Sequence, residues 1–240
     1  MSVFQLPMKL CDELDSLCAK FWWGQVGNER KIHWRSWDKL STSKQEGGMG
    51  FRDLRDFNLA MLAKQGWRML QDHDSLLSKC FKVRYFPRYT FLEAKESPGC
   101  SYVWRSLGVA LPILKSGYCW RVGNGSSISV MCDKWIPNYP TNKVLHPIHE
   151  PVDEMVVFSE LIDLELHVWR GDMIMTLFHR DDAAAITKIP LSRRAVSDSI
   201  IWLHNKNGMF SFKSTYKVAR RMRSEGSRAE SSGGCVGKLV

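Results

Sequence analysis

The stretch Asp53-Leu-Arg-Asp-Phe-Asn-Leu-Ala-Met-Leu-Ala-Lys-Gln-Gly-Trp-Arg-Met-Leu70 reads as an α-helix and sets the character of the chain around it. Asp53 and Asp56 fall in its first turn, where the helix dipole favours negative charge. Leu59, Leu62, Ala63, Gly66 and Leu70 gather near one face, with Lys64 and Arg68 four apart beside it. Upstream, residues 10–21 put Leu10, Leu14, Leu17 or Cys18, and Phe21 on one helical face, between Pro7 and Gly24. Downstream, residues 75–85 carry a stripe of Leu76, Leu77, Cys80 and Phe81 that Pro87 stops. Residues 101–114 space Trp104, Leu107, Leu111 and Leu114 for a helix that Pro112 ends or kinks. Between the first two helices, the glycines of Lys44-Gln-Glu-Gly-Gly-Met-Gly-Phe-Arg-Asp-Leu54 suit a tight turn. Their spacing matches neither a P-loop nor a dinucleotide-binding turn.

Past residue 116 the period changes from 3.6 to 2. Tyr118, Trp120 and Val122 alternate, Asn124-Gly125 offers a type I′ turn, and Ile128, Val130 and Cys132 alternate on the return, which predicts a hairpin. A Pro-rich crossing follows to Pro151, then helices over 158–169 and 172–179. A second hairpin is expected from residues 198–202 through Asn207-Gly208 to 209–212. Ser214 can cap a last helix over 215–223, and the Gly, Ser and Arg content from Ser224 predicts a flexible tail. The expected fold class is mainly α with short β-hairpins, an α+β chain in four stretches: 1–115, 116–150, 151–223 and 224–240.

The chain has 240 residues, 44% of them hydrophobic, and ten tryptophans, so a sizeable core is within reach. No apolar run approaches the ~20 residues that span a bilayer, and the N-terminus lacks the order of a signal peptide, so a soluble intracellular chain is expected. Seven cysteines, an odd number without a CxxC pair, read as reduced thiols. The net charge of +9 is uneven. Residues 1–140 carry 20 Lys/Arg against 13 Asp/Glu, residues 141–210 carry 7 against 10, and residues 211–240 carry 7 against 2. A basic front and a basic tail favour polyanions, chiefly nucleic acid.

Catalytic constellations find little support. Asp181-Asp182 is the adjacent pair of aspartates, but no apolar strand leads into it, and a place at a helix start or on the surface is expected. His146 and His149 lack the further ligands of a zinc set, Cys11 and Cys18 have core spacing, and no nucleophile phrase makes His33 or His204 a base. The richest constellation is cationic and aromatic: Arg30, Lys31, His33, Trp34, Arg35, Trp37 and Lys39, then Lys44, Arg52, Lys64 and Arg68. Cations meet phosphates while bases stack on rings. Trp34 and Trp37 are expected as anchors under the loop, and some of the Lys/Arg, joined by Arg220, Arg221 and Arg223, as the nucleic-acid contacts.

Several phrases in order carry a resemblance: residues 10–24 with Phe21-Trp-Trp-Gly24, Ile32-His-Trp-Arg-Ser-Trp37, Lys44-Gln-Glu-Gly-Gly-Met-Gly-Phe-Arg-Asp-Leu-Arg-Asp-Phe-Asn58, Ala60-Met-Leu-Ala-Lys-Gln-Gly-Trp-Arg68 and Arg84-Tyr-Phe-Pro87. Ser101-Tyr-Val-Trp-Arg-Ser106, Gly117-Tyr-Cys-Trp-Arg-Val-Gly-Asn-Gly125, Asp133-Lys-Trp-Ile-Pro137, Asp198-Ser-Ile-Ile-Trp202 and Gly208-Met-Phe-Ser-Phe-Lys-Ser-Thr-Tyr216 continue it. Over about residues 4–220 the chain resembles plant LINE-type, non-LTR retrotransposon reverse transcriptases in the region downstream of the palm. The resemblance implies a helical thumb or connection over 1–115, a hairpin and connector over 116–150, and the start of a truncated zinc-binding domain within 151–223. In that family the polymerase carboxylates lie in an upstream Tyr/Phe-x-Asp-Asp phrase and the zinc ligands beyond the Phe-Ser-Phe-Lys-Ser-Thr-Tyr phrase, where this sequence keeps only Cys235. It therefore implies a chain that is not an enzyme, with no catalytic residue, metal or cofactor and with weak sequence-independent nucleic-acid binding. Two alternatives stay open: a structural remnant without independent function, or the C-terminal piece of an active RNA-directed DNA polymerase. The partners implied are an RNA or DNA backbone and, in a longer product, a reverse-transcriptase palm; no membrane is implied. The expected compartment is the nucleus or cytoplasm.

Overall fold

A computed structural model describes residues 2–27, 29, 31–148, 158–163, 165–194 and 196–233. Its helices begin with α1 (Met8–Trp22), α2 (Trp37–Ser41), α3 (Leu54–Gln71), α4 (Leu76–Tyr85), α5 (Tyr102–Val109) and α6 (Leu111–Gly117). They end with α7 (Gly171–Leu177), α8 (Arg180–Thr187) and α9 (Phe212–Gly233). Among the described residues four short strands, β1 (Tyr118–Arg121), β2 (Ile162–Asp163), β3 (Val168–Trp169) and β4 (Ser199–Trp202), make two two-stranded antiparallel sheets. The expected mainly helical α+β class is what the chain adopts. Two compact units divide it, residues 1–115 with 211–240, and residues 116–210.

In the first unit α3 is the central element. The Asp53 carboxylate caps it, accepting from the backbone N–H groups of Arg55 and Asp56 at 3.0 and 3.1 Å. Burial extends round most of its circumference, from Asn58 and Ala60 to Leu62, Ala63, Trp67 and Met69, well beyond the single expected stripe. A helix covered on most sides is a core element. Gly66 permits the closest approach, since a Cβ there would lie 2.7 Å from the Leu114 side chain and 2.8 Å from the Phe91 ring. Beside it Trp104, 2% exposed, stacks on Tyr85 with ring centres 4.4 Å apart, and Phe81, Phe86 and Phe91 close round the indole.

Three details of this unit differ from the sequence reading. On α1 the buried residues are Cys11 and Ala19, while Leu10, Leu17 and Phe21 of the expected stripe face solvent. The 101–114 helix breaks at Ala110, so Pro112 sits in the first turn of α6, where its missing N–H costs nothing. The last helix is longer than 215–223: Ser211 begins it, accepting from Ser214 N–H at 3.2 Å, and it continues to Gly233. The glycine stretch turns the chain as expected, with a capped 3-10 turn over Lys44–Glu46 and Gly47 at φ +80°.

The second unit packs around Trp135, which is fully buried, donates its indole N–H to Val130 O at 2.8 Å and meets Phe158 edge-on at 4.6 Å. Neither predicted hairpin forms as read. β1 pairs instead with β4, in the register Tyr118↔Trp202 to Arg121↔Ser199, about eighty residues away. The reason lies in Asp198, whose carboxylate accepts from the N–H groups of Gly123, Gly125 and Ser127 at 2.7, 2.9 and 2.8 Å. That wraps residues 123–127 into a wide loop in place of a two-residue turn and sends Ile128 and Val130 into the core. After β4, Trp202 N–H donates to Gly208 O across a turn, but residues 209–212 form no strand and lead into α9. The helix expected over 158–169 is a 3-10 turn (Phe158–Leu161) followed by β2 and β3. There the Asp163 carboxylate caps the backbone N–H groups of Glu165 and Leu166, both at 3.0 Å, and closes a turn where a helix would need to run on.

Candidate nucleic-acid interface

The cationic and aromatic segment after α1 is held by rings. Trp37 stacks on Phe51 with centres 5.0 Å apart, Trp22 meets the same ring edge-on at 4.7 Å, and Trp23 stacks on His33 at 6.0 Å. Trp37 is thus the anchor that its sequence context suggests. Trp34 is not an anchor: it stands 78% exposed. The contacts that hold this stretch come from its neighbours, His33 stacked on Trp23 and Ser36 capping α2. An indole left in water among cations is the geometry that base stacking uses.

The predicted cations fall into three groups. Lys31, Lys39, Lys44, Lys64 and Arg68 are exposed, Lys31 lying 3.5 Å from Glu29 and Arg68 bonded to Gln65 at 3.3 Å. Arg35 and Arg52 are committed nearby: Arg35 donates to Gly47 O and so pins the glycine turn, and Arg52 lies 5.2 Å over the Phe57 ring. The arginines of α9 are mostly taken by acids. Arg223 donates to Asp53 and Asp56, both at 2.8 Å, and Arg220 donates to Asp38 O at 3.2 Å beside the Asp38 carboxylate at 3.7 Å. These bonds join α9 to α2 and to the start of α3. Lys64 and Arg68 stay apart from that junction, about 15 and 21 Å along α3 from Leu54 at 1.5 Å per residue. Arg30 lies outside the described residues.

Burial, then the Asp53 charge, pushes the Asp56 carboxyl up to about 6 against the pull of Arg223 and Arg220. Burial works against the Arg223 guanidinium, but Asp56 and Asp53 outweigh it and hold the group above its ordinary value. Such a clamp is structural. Lys213, Lys217 and Arg221 lie exposed on α9, four residues apart along one ridge, with Arg221 3.9 Å from Glu225 one turn on. Sequence reasoning missed Lys213 and Lys217. The signal was their spacing from Arg221, set against the buried Thr215, Val218 and Ala219.

The remaining candidates have ordinary settings. Asp181 and Asp182 begin α8 as expected, but Asp182 is fully buried, accepting from Tyr139 O–H at 2.6 Å, His146 N–H at 2.6 Å and Leu145 N–H at 3.1 Å. It is a strut that holds residues 139–146 against α8. His146 meets His179 edge-on at 6.0 Å, and His149 lies outside the described residues. Among the described residues Cys11, Cys18, Cys80, Cys100, Cys119 and Cys132 are free thiols, and Cys235 lies outside them. No helix of the described residues is long and apolar enough to cross a membrane.

Comparison with known proteins finds two plant relatives. Over 137 residues, 57% of this chain and 89% of the relative, the chain is 42% identical to an Arabidopsis thaliana protein named "Uncharacterized mitochondrial protein". Over 231 residues, 91% of this chain, it is 29% identical to an Arabidopsis thaliana "Putative ribonuclease H protein", of which it spans 36%. No family model matches, and no solved structure matches. The chain is thus related to plant proteins, one of which is named a putative ribonuclease H protein. The expectation of a nuclear or cytoplasmic chain is corrected, because the relative that it covers almost end to end is named a mitochondrial protein.

Proposed function

As this chain belongs to the family of that Arabidopsis mitochondrial protein, we propose that it is a non-catalytic, retroelement-derived module that binds single-stranded nucleic acid weakly and without sequence preference. The observation that carries the reading is Trp34, 78% exposed and close in sequence to Lys31, Lys39 and Lys44. An exposed indole stacks on any base, and the lysines track phosphates by charge alone, so no base edge is read. The ridge of Lys213, Lys217 and Arg221 adds a second line of positive charge to the same unit. The order of the aromatic phrases supports the finer descent, from the thumb and connecting region of a LINE-type reverse transcriptase toward its zinc-binding domain. In a longer product of that kind the proposed neighbour is the reverse-transcriptase palm. The compartment that the family proposes is the mitochondrion.

Fluorescence anisotropy with a labelled single strand tests the reading. Trp34→Ala should weaken binding by about 1–3 kcal/mol, since that is the worth of one stacked base. Raising salt from about 50 to about 200 mM should cost roughly fifty-fold if about four phosphates are met. Binding that ignores both Trp34→Ala and salt refutes the proposal.

A further inference from the structure

The apolar stripe of α1 is turned away from the unit that the helix belongs to. Leu10, Leu14, Leu17 and Phe21 follow a four-three-four spacing, about three turns of an a/d seam. Leu10, Leu17 and Phe21 are 40%, 59% and 86% exposed, and Leu14 between them is half-buried. The opposite face does the work of attachment: Cys11 and Ala19 are buried, and Asp12 pairs with Arg55 of α3. A helix that spends its polar and small residues inward and its leucines outward has the surface of a pairing helix.

Its flank says what pairs with it. In the same heptad frame Glu13 and Lys20, both exposed, occupy successive g positions of opposite charge. In an antiparallel pair of identical helices, g positions face g positions. With Leu10 level with the partner's Phe21 and Leu14 level with the partner's Leu17, Glu13 comes within about 3 Å along the axis of the partner's Lys20. The two-fold axis then repeats the pair, giving two ion pairs and no like-charge contact. A parallel pair would set Glu13 beside Cys18 and lose both. We propose that α1 is a homodimerisation helix that pairs antiparallel with α1 of a second copy of this chain through Leu10, Leu14, Leu17 and Phe21.

The helix is short, about 22 Å for fifteen residues, so the association belongs with small, weak interfaces. The proposal does not depend on nucleic-acid binding, and nuclease-treated protein keeps the two apart. Sedimentation of the full chain from about 1 μM to about 1 mM covers the range where such pairing shows. The wild type should pass from monomer to dimer, and Leu17→Asp should stay monomeric with an unchanged far-ultraviolet circular dichroism spectrum. Glu13→Lys and Lys20→Glu should each weaken pairing roughly tenfold, since each puts like charges at both g contacts. Glu13→Lys with Lys20→Glu together should restore it. A wild type that is monomeric throughout would overturn the proposal and leave the stripe to another occupant, such as a palm domain. So would a Leu17→Asp dimer, or single charge reversals that leave the affinity unchanged, or a double exchange that fails to restore it.

Discussion

Replacing Arg223 by Ala should destabilise the first unit strongly near neutral pH and much less in mild acid. The Arg223 guanidinium bridges Asp53 and Asp56 at 2.8 Å each, with side chains 32%, 10% and 0% exposed respectively. Around them, Tyr216 O accepts the backbone N–H of Asp53 at 2.9 Å, so the clamp also seats α9. Removing one partner of a buried ion pair costs about 3–5 kcal/mol, because the carboxylate left behind is neither solvated nor paired. The pH dependence follows from Asp56, whose folded value is raised from 3.8 to about 6, first by burial and then by Asp53. A raised carboxyl contributes its stability in full below its unfolded value and loses it as pH rises through about 6, a swing on the order of 3 kcal/mol. In Arg223→Ala the counter-charge is gone and the Asp56 value rises further. At about pH 5 Asp56 is then neutral in both proteins, and the difference between them should shrink to roughly 1–2 kcal/mol, the hydrogen bond to Asp53. Urea unfolding followed by tryptophan fluorescence at about pH 5 and about pH 7.5 reads both numbers, with Asp56→Asn as a control whose stability should lose this dependence. An Arg223→Ala cost that is equal at the two pH values refutes the reasoning.

Trp104→Ala should cost about 3–5 kcal/mol by opening a cavity beneath Tyr85, Phe81 and Phe86, seen as a lower urea midpoint. Asp182→Ala should leave Tyr139 O–H and the N–H groups of Leu145 and His146 without their acceptor, on the order of 3 kcal/mol in the second unit. Hydrogen exchange should show the Leu145 and His146 amides freed while α3 keeps its protection. The Tyr139 phenol, held up to about 12 chiefly by its bond to Asp182, should titrate lower in the variant.

The legible parts of the fold were those decided within one or two turns of chain. The acidic start of α3, its leucine and alanine spacing, the Trp104–Leu107 stripe and the glycine turn over residues 44–50 are local preferences, and the structure keeps them. The candidate interface was half legible. Sequence marks where cations cluster, but the bonding of Arg223 to residues 167 and 170 positions away, and the openness of Lys213 and Lys217, depend on how α9 lies on α3.

By itself, then, the sequence determines the helical class, the positions of most helices and the uneven positive charge, since propensity, capping and periodicity act over neighbours. Only the tertiary structure decides that β1 takes β4 as its partner, that the Asp198 carboxylate opens the 123–127 loop, that Trp34 stands in solvent while Trp37 is stacked, and that α1 shows its leucines outward. Periodicity says which residues share a face. What lies opposite that face is set by chain far away in sequence, where a long-range hydrogen bond or a better-packed surface outweighs the local preference.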